Sequence, residues 1–429
     1  MRFLFYALVI AILYSCSPVS RARLSKTFKA TEERFKDHTG FVLYDPLEGR
    51  TLFDFNGDRY FTPASNTKIF TLYAALKILG DSVPALEYVH RNDSLIFWGT
   101  GDPSFLYKEV FQDTIVFSFL SKAMSPLYFS TSNFQTTHFG EGWAWDDYNS
   151  GYSPERSAFP IYGNIVSIIA DQNVLRITPD YFIPAFKVVG EKEETDVIRE
   201  LNSNEFKVYP SRTIAEVREI RVPYKTDSAT FFLLLADTLK RSVTPVCLPL
   251  PPTASTIFSI HLDSLYSVMM QESDNFIAEQ LLLMCANVLG DSLKPEIAIG
   301  YMKQNHLLDL PDEPVWVDGS GLSRYNLFTP RSIVKLWEKI SGEVPQHRLF
   351  PLLATGGVNG TLRKWYQKEK PYIFGKTGSL SNNHCLSGFI VTKRERVLIF
   401  AFMNGNFTVA GNSIRRNMQS ILESIYEHY

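Results

Sequence analysis

Cysteine is scarce in this chain, four residues in 429, with no C-x-x-C pair and no Cys/His spacing of the kind that holds zinc. Apart from Cys16, the cysteines are Cys247, Cys285 and Cys385. Their odd, scattered count argues against a disulfide framework and reads as small buried hydrophobes. An excess of one charge is also lacking. With 43 Lys+Arg against 45 Asp+Glu the net charge is −2, which leaves no basic footprint for nucleic acid. The eight histidines accompany neither a Gly-x-Ser-x-Gly elbow nor a His-Glu-x-x-His string, so a serine–histidine hydrolase is disfavoured. His384 reads as a packing or surface residue. There is no internal repeat and no low-complexity stretch, and no metal or cofactor is expected. Beyond the first residues no apolar run reaches the length of a membrane span.

What is present starts with size. A chain this long predicts two or more domains, and its 45% apolar content is ample for a core. Met1-Arg2 precedes a nearly unbroken apolar run from Phe3 to Tyr14, too short to span a bilayer and suited to the core of a signal peptide. Leu13-Tyr14-Ser15-Cys16 resembles a bacterial lipobox. Residues 1–16 are therefore expected to be an export signal, with Cys16 the candidate for lipidation and membrane attachment. A plain signal peptide cut nearby is the alternative.

Leu24 to Asp37 reads as an amphipathic helix, and Phe41–Tyr44 with Thr51–Phe55 as a β-hairpin around the turn from Pro46 to Gly49. After Ser65, residues Ile69, Leu72, Tyr73, Leu76 and Leu79 follow a helical period that ends at Gly80. That places Ser65 at a helix start, on a helix buried along one side. From Pro84 to Thr244 short aromatic and β-branched runs are broken by Gly, Pro, Asn and Asp, with one helix near Ser228 to Lys240. The proline-rich stretch Pro245 to Pro252 reads as a linker. Helices at Ile260–Met270 and Phe276–Leu289 flank a loop, Lys376–Thr392 and Arg396–Met403 read as two adjacent strands, and Asn412 is expected to cap a last helix. The expected organisation is a discontinuous catalytic domain, residues 24–83 and 245–429, interrupted by a β-rich insert at 84–244.

Three short strings carry the chemistry: Ser65-Asn66-Thr67-Lys68, Ser273-Asp274-Asn275 and Lys376-Thr377-Gly378. Ser-x-x-Lys alone is weak and recurs at Ser332–Lys335; Ser-x-Asn recurs at Ser381–Asn383; Lys-Thr-Gly occurs once. Their order and context make the joint signal strong. Residues three apart on a helix share a face, so Lys68 can reach the Ser65 hydroxyl. An alcohol needs an adjacent base, and a lysine serves only when neutral, which burial and a nearby positive charge favour. Lys376 across a cleft would supply that charge. Ser273 would relay a proton to a leaving amine, and Asn275 would hold either Lys68 or the substrate amide. The backbone N–H groups of Ser65 and Ser379 are candidates for stabilising negative charge on a carbonyl oxygen. Lys376, Thr377 and Ser379 would grip a free carboxylate, with Gly378 letting a substrate backbone lie close.

With those residues in place, the chain resembles the low-molecular-mass penicillin-binding proteins of the D-alanyl-D-alanine carboxypeptidase/endopeptidase type, peptidase family S13. Longer strings carry the resemblance further: Gly99-Thr100-Gly101-Asp102-Pro103, Gly142-Trp143-Ala144-Trp145-Asp146-Asp147-Tyr148, and Asp318-Gly319-Ser320-Gly321-Leu322-Ser323-Arg324-Tyr325-Asn326. The long gap between Ser65 and Ser273 leaves room for the inserted material of that family, which class A β-lactamases lack. The resemblance implies an α+β, penicilloyl-serine-transferase (β-lactamase-like) fold, an antiparallel sheet flanked by helices with a β-rich insert. It implies acylation of Ser65 by peptidoglycan stem peptides, loss of the terminal D-Ala, hydrolysis by water, and β-lactams as covalent inhibitors. It also implies that Asp147 and Arg324 lie near the substrate side chain, where turn and helix-cap roles are the alternative. A β-lactamase or esterase on the same scaffold, and a catalytically silent wall-binding scaffold, are the competing readings.

Overall fold

Six strands form an antiparallel sheet in the spatial order Ala354–Thr355, Ile373–Leu380, Asn383–Val391, Val397–Gly405, His38–Asp45, Arg50–Phe55. The first long strand of the chain therefore pairs with the last, Phe41 opposite Phe402. The computed structural model describes residues 21–110, 114–171, 174–212, 217–290 and 292–429. The expected leader and Cys16 lie outside the described residues.

Alternation along the central strands explains the layering. Phe41, Leu43, Phe400 and Phe402 face one side, where the terminal helices Arg21–Phe35 and Gly411–His428 bury Phe28, Ile414, Met418 and Ile421 against them. Val42, Ile399, Ala401 and Met403 face the other side, against a helical layer that supplies Ile69, Phe70, Ile333 and Trp337. Because both faces are covered, the strand Val397–Gly405 is apolar almost throughout rather than alternating with polar residues. Two details differ from the sequence reading. The stretch Lys376–Thr392 is two strands, not one, folded over at Ser381-Asn382 with Asn382 in the left-handed region, a conformation that Asn tolerates. Asn412 sits inside the last helix, whose N-cap position is Ala410, so it is no cap.

The helix Lys68–Ile78 is buried on all sides over its first two turns, every residue from Lys68 to Ala75 being inaccessible. The helical period had suggested a one-sided helix. Its remaining faces are taken by Asn275–Gly290 and Pro330–Glu343, which lie against it.

Between residues 82 and 261 the strands fall into three further sheets. A five-stranded sheet has the order Val243–Val246, Leu127–Ser130, Ser94–Gly99, Ser82–Arg91, Ser255–His261, and two three-stranded sheets lie beyond it. Ser255–His261 pairs with Ser82–Arg91, so this sheet runs past both Pro84 and Thr244, and the edges drawn there cut through it. The proline-rich stretch is no free linker. Pro245 lies in a strand paired with Phe129, and the Leu248 carbonyl accepts from Trp98 Nε1, Ser130 Oγ and Ser132 Oγ. Cys285 and Cys385 are buried as expected, whereas Cys247 is exposed.

Phe28 is fully buried, and its ring centroid lies 4.8 Å from Phe41, 5.3 Å from Phe402 and 5.4 Å from Phe55. Phe28→Ala should lower unfolding free energy by about 3–5 kcal/mol through the cavity it leaves. A urea midpoint unchanged by this variant would show that the first helix does not complete the core.

Candidate active site

The turn that carries Ser65 is a 3-10 turn, Ala64–Thr67, running straight into the helix Lys68–Ile78. Neighbouring glycines allow it to sit so deep. A Cβ at Gly321, whose φ is +85°, would come within 1.9 Å of the Ala64 carbonyl oxygen. A Cβ at Gly378 would lie 2.5 Å from the Pro63 carbonyl oxygen. The glycine of the Lys-Thr-Gly string thus makes room for the serine turn, where the sequence reading had assigned the space to substrate backbone. Asn66 locks the two together, its Nδ2 donating to the Lys376 carbonyl at 3.1 Å and its Oδ1 accepting from Ser387 Oγ at 2.6 Å.

Lys68 Nζ donates to Ser65 Oγ at 3.0 Å, to Asn275 Oδ1 at 2.6 Å and to the Ser320 carbonyl at 2.6 Å. Of the two roles open to Asn275, the side chain therefore takes the first: Oδ1 holds Lys68, while Nδ2 donates to the Tyr152 carbonyl at 2.9 Å. Asn275 opens the helix Asn275–Gly290, and Asp274 caps it by accepting from Ile277 N at 2.8 Å. Asp274 also accepts from Tyr107 OH at 2.7 Å, which ties the loop to the insert. Ser273 has φ +64° and its hydroxyl accepts from Lys376 Nζ at 2.8 Å. All three strings thus meet in one place, each held by the others.

Burial dominates the electrostatics. It pulls Lys68 down to about 8, against the upward pull of Asp318, Asp274 and Glu279. Burial also lowers Lys376 well below the ordinary range, with the charge of Lys68 adding to the effect. Two buried ammonium groups in one cleft disfavour each other, and no carboxylate offsets the burial of Lys376 as the three acids do for Lys68. Glu279, pushed up to about 7 by burial and by Asp318, stands behind this cluster. Its Oε1 accepts from Ser320 N at 2.8 Å, the residue whose carbonyl binds Lys68. Asp318 gathers Gly321 N, Ser323 N, Asn326 Nδ2 and Trp143 Nε1, so the Asp-Gly-Ser string folds round a buried carboxylate.

Two lobes open from Ser65. The larger, about 770 Å³, reaches Asp147, Arg324 and Tyr152. The smaller, about 250 Å³, reaches Thr377, Ser379, His384 and Arg415. Asp147 and Arg324 are therefore both on the cleft wall, with Asp147 accepting from Tyr152 OH at 2.6 Å. Thr377 Oγ1 donates to Thr361 Oγ1 at 2.7 Å, and Ser379 is exposed with its Oγ 2.8 Å from His384 Nδ1. Burial, aided by Arg415, holds His384 down at about 3, so the ring stays neutral beside that hydroxyl. The second Ser-x-x-Lys is structural: Ser332 Oγ donates to the Asp312 carbonyl and Lys335 pairs with Glu338.

Sequence reasoning did not single out Glu279, Asn66, Tyr107, Thr361 or Arg415. Glu279 had a usable signal, since it lies four positions after Asn275 and so shares its helix face. Asn66 is next to Ser65 in the first string, whereas Tyr107, Thr361 and Arg415 come to the site by tertiary packing alone.

A half-buried serine bonded to a buried lysine, beside a second hydroxyl that a strand lysine holds, on an antiparallel sheet between helical layers, defines the penicilloyl-serine-transferase class of fold. The model of the D-Ala-D-Ala carboxypeptidase 3 (S13) family matches residues 21–215 and 238–425, and the chain belongs to that family. It is similar to D-alanyl-D-alanine carboxypeptidase DacB of Haemophilus influenzae, 24% identical over 425 residues and covering 86% of each chain. Among solved structures it resembles penicillin binding protein 4 (dacB) of the same organism, with a TM-score of 0.74, 21% identity, and coverage of 93% of this chain and 99% of the other. The same protein complexed with a β-lactam superposes with a TM-score of 0.70, at 19% identity and equal coverage.

Since a lysine acts as base only when unprotonated, Ser65 acylation by a β-lactam should rise with pH and level off above about 8. Glu279→Gln removes a negative charge that favours the ammonium form, so the midpoint of this profile should move to lower pH. Acylation rates measured across the profile for both proteins check this; flat or coincident curves would contradict it.

Proposed function

We propose that this chain is a serine-type D-Ala-D-Ala carboxypeptidase acting on peptidoglycan stem peptides, with Ser65 as nucleophile and Lys68 as its base. Ser65 Oγ attacks the penultimate carbonyl as its proton passes to Lys68. The C–N bond breaks while Ser273, bonded to Lys376, gives its proton to the departing amine and takes up the one held by Lys68, which leaves Lys68 neutral again. Water then cleaves the Ser65 ester. The oxyanion forms against the backbone N–H groups of Ser65 and Ser379, and Asn275 keeps Lys68 in line. The larger lobe takes the donor peptide side chain beside Asp147 and Arg324, and its volume leaves room for cross-linked stems, so opening of D-Ala–diaminopimelate links falls within the same reading.

The observation that carries this reading is the 3.0 Å contact between Lys68 Nζ and Ser65 Oγ, on an amine that burial brings towards neutrality. We further read residues 1–16 as an export signal, with Cys16 the site of lipid attachment to the cell envelope. No described helix is long and apolar enough to cross a membrane. The β-rich insert is best drawn from about residue 82 to about residue 261, the limits of its five-stranded sheet.

Purified peptidoglycan digested with the enzyme should release free D-Ala, with opened cross-links as a second product. Ser65→Ala should release neither while its stability stays within about 0.5 kcal/mol of the parent. D-Ala release by that variant would defeat the mechanism.

A further inference from the structure

Arg156, in the insert, is buried against Glu279, its Nη1 lying 3.4 Å from Glu279 Oε2 with the two side chains 5% and 1% exposed. Among the described residues it is the one cation within ion-pair distance of that carboxylate. Its other donors are taken up by the insert itself. Nε and Nη2 reach the Thr137 carbonyl at 3.2 and 3.0 Å, and Nη2 reaches the Phe139 carbonyl at 3.1 Å. The guanidinium carbon also lies 5.7 Å from the centre of the Trp143 ring, whose Nε1 donates to Asp318 Oδ2 at 3.0 Å. One guanidinium from the insert thus holds Glu279 directly and Asp318 through an indole.

Glu279 in turn stands behind Lys68. Its Oε1 accepts from Ser320 N, and the Ser320 carbonyl accepts from Lys68 Nζ. Burial and Asp318 favour the protonated carboxyl, and Arg156 opposes them. The charged groups that face Glu279 are Asp318 from its loop, Arg156 from the insert and Lys68 from the helix Lys68–Ile78. Those that act on Lys68 are Asp318, Asp274 and Glu279, with Lys376 across the cleft, and Arg156 is not among them. Nearby, His138 Nδ1 meets the Arg156 backbone carbonyl and Glu155 accepts from Thr226, so neither is bonded to the guanidinium.

We propose that Arg156 is a positioning residue that keeps Glu279 ionised behind Lys68, so that the insert sets the pH at which Lys68 becomes a base. The proposal rests on the reading of Lys68 as the base for Ser65. It gives the insert a part in the chemistry beyond holding loops in place. Without Arg156 a buried carboxylate has no cation to offset its desolvation and takes up a proton. Lys68 then loses one of the three acids that favour its charged form, and turns neutral at lower pH.

The test follows the rate of β-lactam acylation of Ser65 against pH, read by intact mass, in the full chain. Arg156→Gln should move the midpoint down by about half a pH unit or more, in the same direction as Glu279→Gln. Arg156→Lys, which keeps a cation in place, should hold the midpoint nearer that of the parent. The double variant Arg156→Gln/Glu279→Gln should coincide with Glu279→Gln alone, since an amide has no charge for Arg156 to maintain. An Arg156→Gln profile that is lower at every pH but keeps the parent midpoint would show a merely structural role and overturn the proposal. So would a double variant whose midpoint departs from that of Glu279→Gln. That comparison decides the matter if Arg156→Gln alone does not fold, because removing both charges leaves neither unpaired in the interior. A parent profile without a midpoint would instead count against Lys68 as the base.

Discussion

Lys68 carries its amine into a place with no exposed surface, and three acceptors from distant stretches of chain meet it there. Ser65 Oγ comes from the turn before its own helix, Asn275 Oδ1 from the start of another helix, and the Ser320 carbonyl from a loop wrapped round Asp318. A buried ammonium without partners would be prohibitive, and one with three good acceptors is tolerated. Burial draws the amine towards neutrality while the acceptors and the acids behind them hold it near the charged form. A group balanced in this way can take a proton and return it. The rest of the cleft depends on that balance.

The scaffold serves the same end by bringing backbones unusually close. Gly321 and Gly378 let the Ser65 turn press against the Asp318 loop on one side and the strand Ile373–Leu380 on the other. Asn66 then bolts turn to strand. The insert contributes through Trp143, which donates to Asp318, and through Tyr107, which donates to Asp274. Its attachment is thus part of the support for the cluster around Lys68, and the insert also forms the wall bearing Asp147.

Much of this was legible in the sequence. The three strings name the residues that meet, the hairpin at Phe41–Tyr44 and the terminal helices follow from alternation and helical period, and the longer strings point to the family. What escaped was long-range. The helix after Ser65 looked one-sided because period alone cannot show how many partners surround a helix. The strand Ser255–His261 was hidden behind a proline-rich stretch whose carbonyl at Leu248 turns out to be satisfied by the neighbouring sheet. Local pattern gives no hint that Arg415, on the last helix, comes to lie beside Ser379. Nor could spacing reveal that both amines are fully buried, with acids offsetting that burial at Lys68 and not at Lys376.

The most direct test of the central claim is the mass of the intact chain after reaction with a β-lactam, followed by peptide mapping of the adduct. A single adduct on Ser65, formed rapidly by the parent chain and lost or slowed about a thousandfold in Lys68→Ala, is the predicted result. An adduct on any other side chain, or labelling of Lys68→Ala at the parent rate, would contradict the account.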